Sequence, residues 1–176
     1  ITAAIDEPSL RAALEFMRTY DDGLSAVRYP RDVVSQRFVA EACPAFALGK
    51  ARCLTPKLEE SSKPDVAVLA FGTPALHALQ AAESLAGEYR VAVYDARFAK
   101  PVDTGLIAAL VKAGVPIVTV EDHSIVGGFG AAVIDAAHEM GLETTRISKL
   151  GLPDSWIHQN SRSQQLAEAG IDAVGI

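Results

Sequence analysis

A chain of 176 residues, 49% hydrophobic and 22% charged, has the material for one globular domain or one domain plus a piece of another. Its 16 Lys and Arg against 22 Asp and Glu leave a net charge of -6, which argues against nucleic acid as a main partner. No apolar run reaches the ~18 residues of a membrane span, and ITAAIDEPSL lacks the basic and apolar regions of a leader, so no membrane partner and a cytoplasmic location are expected.

The chain opens on Ile1 with residues that already read as the inside of a fold, so a piece of something longer is expected. Asp6 or Ser9 can cap a helix to about Tyr20, with Leu10, Ala13, Leu14 and Met17 forming one apolar face. Asp21-Asp22-Gly23 then turns the chain into a strand-like LSAVRYP. Residues 32–48 carry no sustained period and contain Pro44, which marks an extended linker and a domain boundary.

From Gly49 the pattern alternates between strands and helices. GKARCL and the turn-rich TPKLEESSKPD lead to the apolar run VAVLAF, followed by a helical pattern through Leu76, Leu79, Ala82 and Leu85 to Gly87. YRVAVYDAR, a helix over about 103–113, VPIVTVED, a helix from about Gly128 through Met140, TTRISKL and a helix opened by Ser161 complete the order, the last ending near Gly170. Near-continuous apolar strands alternating with helices predict an α/β doubly wound domain, its mostly parallel sheet covered by helices on both faces.

VEDHSIVGGFGAAV places a glycine-rich turn between strand and helix, where phosphate binders hold their anion. Gly127, Gly128 and Gly130 give G-G-x-G rather than G-x-G-x-x-G, and Glu121 and Asp122 stand just ahead of them. A structural role, in which small residues let the helix start against a neighbour, is therefore set beside cofactor binding. Glu121-Asp122-His123 at a strand end allows either acid/base chemistry or carboxylate hydrogen bonds to nearby backbone N–H groups. His77, His138 and His158 lack metal-ligand spacing, no G-x-S-x-G elbow occurs, and Cys43 and Cys53 read as free thiols. Arg28 and Arg31, flanking Tyr29-Pro30, fit bidentate contact with a phosphate or carboxylate, or ordinary ion pairs with Asp21 or Asp22.

Read in chain order, LSAVRYPRD, ALGKARCL, VAVLAFGT, VYDARFAKPVDTGLI, IVTVEDHSIVGGFGAAV and LGLPDSWIHQNSRSQQLAEAGIDAVGI resemble the C-terminal part of the 1-deoxy-D-xylulose-5-phosphate synthase family, thiamine-diphosphate enzymes of the transketolase superfamily. The resemblance implies a transketolase C-terminal-domain-like fold: residues 1–31 as the tail of a pyrimidine-binding domain, 32–48 as linker, and 49–176 as the third domain, short of a final helix. It implies a transferase, a cytoplasmic homodimer, that condenses pyruvate with D-glyceraldehyde 3-phosphate, releases CO2, and serves isoprenoid, thiamine and pyridoxol biosynthesis. Thiamine diphosphate and Mg2+ would be bound by upstream domains, since no Gly-Asp-Gly motif and no glutamate for protonating the aminopyrimidine can be assigned here, so the chain alone is expected to be inactive. One position transfers: Arg31 matches a residue that contacts the acceptor's phosphate, while Arg28 is expected to be structural. The resemblance implies no catalytic, cofactor-binding or metal-binding residue in this chain, and a structural part for Gly127, Gly128 and Gly130. Asp32 stands where the family usually has glycine and can compete for Arg31; HQN at 158–160 and TVED also depart from the usual pattern. Two other readings stay open: a stand-alone interaction or regulatory module, and a beta-type subunit of a two-chain 2-oxoacid dehydrogenase.

Overall fold

The computed structural model describes residues 1–38, 42–55 and 63–176. Residues 56–62 of the turn-rich TPKLEESSKPD and residues 39–41 of the expected linker lie outside the described residues. Helix α1 spans Glu7–Thr19, and both candidate caps take part in it. Asp6 Oδ1 accepts from Ser9 N at 2.8 Å while Ser9 Oγ accepts from Asp6 N at 3.0 Å, a reciprocal box that satisfies two otherwise orphaned N–H groups.

Strand β1 (Thr2–Ala3) pairs in parallel with β2 (Val27–Arg28). The predicted seven-residue strand LSAVRYP thus shrinks to two paired residues, because its partner is equally short and Pro30 has no N–H to offer. Beyond it, the described parts of 32–48 contain no helix or strand.

The main sheet has the order β3-β5-β4-β6-β7. Its strands are β3 (Arg52–Cys53), β4 (Val66–Phe71), β5 (Val91–Asp95), β6 (Ile117–Ser124) and β7 (Ile147–Leu152). β3 runs antiparallel at the edge and the other four are parallel. Helices α2 (Pro74–Ser84), α3 (Thr104–Lys112), α4 (Phe129–Glu139) and α5 (Arg162–Glu168) follow the strands in turn. The pleat sorts β4 in two: Ala67, Leu69 and Phe71 pack with Ile107, Leu110, Phe129 and Val133 of α3 and α4. Val68 and Ala70 pack with Ala75, Leu79 and Leu166 of α2 and α5. Both faces are covered, which is why the strand reads as a continuous apolar run.

Two strand boundaries differ from expectation. β7 starts at Ile147 rather than Thr144, because Glu143 Oε1 captures the Thr145 N–H at 2.9 Å and Ile147 N bonds Thr144 O at 3.0 Å, folding the two threonines into a turn. β6 runs on through His123 to Ser124, with an irregularity in its pairing to β7 between Val120 and Ser124.

The N-terminal segment is built into this domain. Ala3 N bonds Arg97 O at 3.0 Å, Ala99 N bonds Ile1 O at 3.0 Å, and Thr2 bridges Phe98. Ala3 belongs to one face's core and Ile5 to the other's. A third cluster, Ala13, Phe46 and Phe98, joins α1, the linker and the segment after β5, with Phe16 edge-on to Phe98 at 5.4 Å. Burying a phenylalanine such as Phe98 contributes roughly 1.5–3 kcal/mol.

Candidate functional site

β4 leads to β5 on one side, while β6 lies on β4's other flank and leads on to β7. The carboxyl ends of β4 and β6 therefore part, the place where open α/β sheets form ligand crevices. A cleft of about 240 Å³ lies there, walled by Phe71 and Gly72 after β4, Asp122 of β6, Arg162 of α5, and Arg28 and Tyr29 of the N-terminal segment. A larger groove of about 400 Å³ adjoins it and shares Tyr29, Pro30, Thr73 and Arg162. Gly72 has φ +78°, and a Cβ there would sit 3.2 Å from that of Ala3, so the segment approaches β4 as closely as a glycine permits.

Arg162 is the charge at the centre of the cleft. Its Nε lies 3.0 Å from Asp32 Oδ2 and its Nη2 2.5 Å from Asp122 Oδ2. The same Nη2 donates to Thr73 Oγ1 at 3.1 Å. Arg28 Nη2 donates to Asp122 O at 3.3 Å and its guanidinium stands 6.0 Å from the centre of the Phe71 ring. Arg31 is exposed and, among the described residues, makes no ion pair or side-chain hydrogen bond. The expected competition from Asp32 is absent, because Asp32 is held by Arg162. Asp21 and Asp22 pair with neither arginine among the described residues.

The glycine-rich turn holds an anion that belongs to the chain itself. Glu121, 1% exposed, accepts from Phe129 N at 2.7 Å and from Gly130 N at 2.9 Å, so its carboxylate closes the N-terminus of α4 against the helix dipole. The turn places no other side chain there: a Cβ on Gly128 would overlap the Glu121 carboxylate and the Ser124 carbonyl, and one on Gly130 would overlap Thr119 Oγ1 and sit 2.9 Å from Lys149 Cγ. Gly127 takes φ +69° with open space around it. With both Glu121 oxygens engaged, the backbone-capping alternative describes this residue better than acid/base chemistry.

A second group of polar side chains is buried under the linker. Asp95 ends β5, and Arg97, at φ +57°, donates to Ala45 O and Pro44 O at 3.1 Å each and lies 4.3 Å from the centre of the Phe46 ring. Burial pushes the Asp95 carboxyl up from its usual 3.8 to about 7, against the opposing pull of Arg97, whose Nε is 3.7 Å away. A raised carboxyl favours the fold while protonated, so this contribution is complete below about pH 3.8 and is lost as pH rises to about 7. Asp95→Asn keeps an acceptor for the Arg97 N–H now bonded to Asp95 Oδ1 at 3.1 Å. The variant should gain in urea midpoint relative to the wild type as the pH rises from about 4 to about 7. A pH-independent difference between the two would contradict this assignment.

Residues 57–176 match the family model described as transketolase, C-terminal domain. The chain belongs to the transketolase C-terminal domain family. This transketolase C-terminal chain is 38% identical over 179 residues to 1-deoxy-D-xylulose-5-phosphate synthase of Anaeromyxobacter sp. (strain Fw109-5), covering 100% of the chain and 27% of that relative. It is 37% identical over 156 residues to 1-deoxy-D-xylulose-5-phosphate synthase 1 of Geobacter metallireducens, covering 88% of the chain and 24% of the relative. It thus spans about a quarter of the length of these curated relatives. A solved split gene transketolase, described as an inactive beta4 tetramer, superposes with a TM-score of 0.82 at 25% identity, covering 99% of this chain and 54% of the other. The resemblance carried by the sequence motifs and the α/β fold are both borne out.

In this transketolase C-terminal chain the structure brings Arg28 and Asp122 together and leaves His77, His138 and His158 apart; among the described residues no group of three His, Cys, Asp or Glu could hold a metal. No helix among them is long and apolar enough to cross a membrane. Sequence reasoning missed Arg162. Its one local signal was an arginine directly after the Ser161 cap, where a cation opposes the helix dipole and must find carboxylates elsewhere.

Proposed function

We propose that this chain is part of a 1-deoxy-D-xylulose-5-phosphate synthase that condenses pyruvate with D-glyceraldehyde 3-phosphate, with loss of CO2. The observation that carries this reading is 38% identity along the whole chain to relatives of that name. In this reading residues 1–31 are the tail of the pyrimidine-binding domain, 32–48 the linker and 49–176 the third domain; the described parts of 32–48, which contain no helix or strand, support a linker there, and the family match over 57–176 supports a third domain after it. A cytoplasmic homodimer is part of the same proposal.

Thiamine diphosphate would supply the carbon nucleophile and the sink for the electrons released on decarboxylation. The residues here do not fit it or Mg2+: no metal-holding group gathers among those described, and the helix N-terminus at the glycine turn is filled by Glu121. Both are therefore assigned to parts of the enzyme outside this chain. What this chain brings to the reaction is Arg31, an exposed guanidinium with no partner among the described residues and suited to the acceptor's phosphate. Isothermal calorimetry of the 176-residue chain with thiamine diphosphate and Mg2+ should show no binding, and the chain alone no turnover. Adding the upstream domains should restore carbon–carbon bond formation between the two substrates; a dissociation constant of about 1 mM or tighter for the chain alone would overturn the assignment.

One observation favours a second arrangement, in which the diphosphate-binding part is a separate chain: the solved relative is a split gene transketolase. The upstream reading frame distinguishes the two. A Gly-Asp-Gly motif on the same frame supports one chain, and a frame that reaches upstream through the pyrimidine-binding domain but starts after any such motif supports two, as the solved chain is about twice as long as this one.

A further inference from the structure

The residue on each side of the exposed Arg31 loop is tied to the third domain, and Arg31, among the described residues, is not. Three positions before it, Arg28 Nη2 donates to Asp122 O at 3.3 Å. One position after it, Asp32 Oδ2 lies 3.0 Å from Arg162 Nε. The two ties converge, since Arg162 Nη2 is 2.5 Å from Asp122 Oδ2 and also donates to Thr73 Oγ1 at 3.1 Å. One guanidinium thus gathers the end of β6, the start of α2 and the loop after Tyr29-Pro30. A lysine would have to bring all three partners to one nitrogen, whereas the guanidinium presents Nε to Asp32 and Nη2 to Asp122 and Thr73.

We propose that Arg162 is a positioning residue for acceptor recognition: through Asp32 and Asp122 it fixes the loop on which Arg31 meets the phosphate of the acceptor substrate. The inference rests on the reading of Arg31 given above. Its physical basis is entropy. A loop free to sample many conformations must be ordered when it grips a phosphate, and each residue ordered costs on the order of 1–2 kcal/mol. Ties at 28 and 32 meet that cost before the substrate arrives, leaving Arg31 itself uncommitted. The arrangement also gives the third domain a part in selecting the acceptor, although it holds no group that touches the reacting carbons. Asp32 is the distinctive member, because it stands where the resembling family usually has glycine, which could form no such tie.

The test uses the complete enzyme with Arg162→Gln, Asp32→Asn, the double variant, and Arg31→Ala in parallel. Each is assayed with glyceraldehyde 3-phosphate and with D-glyceraldehyde, which lacks the phosphate. Arg162→Gln and Asp32→Asn should each raise the KM for the phosphorylated acceptor about five-fold, leave kcat and the KM for pyruvate within about two-fold, and leave D-glyceraldehyde turnover unchanged. The double variant should be about as impaired as Arg162→Gln alone, since that change already removes the tie to Asp32. Asp32 is largely exposed, its side chain 44% accessible, so Asp32→Asn keeps the test available should Arg162→Gln fold poorly. Equal losses with both acceptors, or additive losses in the double variant, would overturn the proposal. If Arg31→Ala abolishes the preference for the phosphorylated acceptor while Asp32→Asn does not, this inference fails and the assignment of Arg31 stands. If Arg31→Ala leaves that preference intact, the assignment of Arg31 fails, and this inference with it.

Discussion

On the function proposed above, Arg31→Ala in the complete enzyme should raise the KM for glyceraldehyde 3-phosphate about 30-fold, the equivalent of losing a charge-assisted contact of roughly 2 kcal/mol. The KM for pyruvate should change by less than about two-fold, because pyruvate carries no phosphate for the guanidinium to hold. Arg31→Lys should fall between the two, since an ammonium keeps the charge but not the bidentate geometry. Arg31 is exposed and, among the described residues, makes no side-chain bond that its loss would break, so the variant should fold as the wild type does. Any kinetic effect then reports on substrate rather than on stability. Equal changes in the two KM values would remove Arg31 from the acceptor site.

Gly128→Ala is expected to have the largest effect on stability, about 3 kcal/mol, or roughly a 10 °C drop in Tm for a chain of this size. Its backbone, at φ -86° and ψ -161°, is open to any residue, so the penalty is wholly steric. The added methyl meets the Glu121 carboxylate and the Ser124 carbonyl, neither the far end of a flexible side chain, since Glu121 is held by two backbone amides. Gly127→Ala provides the contrast: φ is +69° but the space is empty, so only left-handed strain of about 1 kcal/mol applies. Adding Glu121→Ala to Gly128→Ala should cost less than the sum of the single changes, because each removes what the other collides with. Thermal melts of the four variants decide the matter, and full additivity would place the collision elsewhere.

The elements that the sequence showed clearly are those whose cause is local. VAVLAF is apolar on both faces because helices cover both, Asp103 caps α3 by accepting from Leu106 N at 3.0 Å, and Ser161 caps α5. The short strands were less legible, since β1 and β2 pair over two residues each, β3 pairs only with the last two of β5, and pairing is not written in either strand alone. Thr144 and Thr145 looked like strand because β-branched residues favour it, yet the bond that Thr145 N donates to Glu143 and the turn closed by Ile147 N on Thr144 O overrule that preference. At the glycine turn the spacing and the nearby carboxylates already argued against phosphate; what could not be read was that Glu121 itself turns back to occupy the helix end. Arg162 was invisible for a simpler reason: its partner Thr73 is 89 positions away, and Asp32 and Asp122 are as little marked by spacing.

The packing of residues 1–5 against the carboxyl ends of β4 and β5 bears on how such chains can exchange parts. A seam drawn along the chain between residues 31 and 49 is not a seam in the packing, because Ala3 and Ile5 complete the cores on the two faces of the sheet and the Ile1 carbonyl accepts from Ala99 N. Recombination that swapped residues 49–176 alone would pair a new sheet with an old plug, exposing Phe98 or crowding it. The unit that packs together is therefore the main sheet with its helices and residues 1–5, contiguous in space but interrupted along the chain.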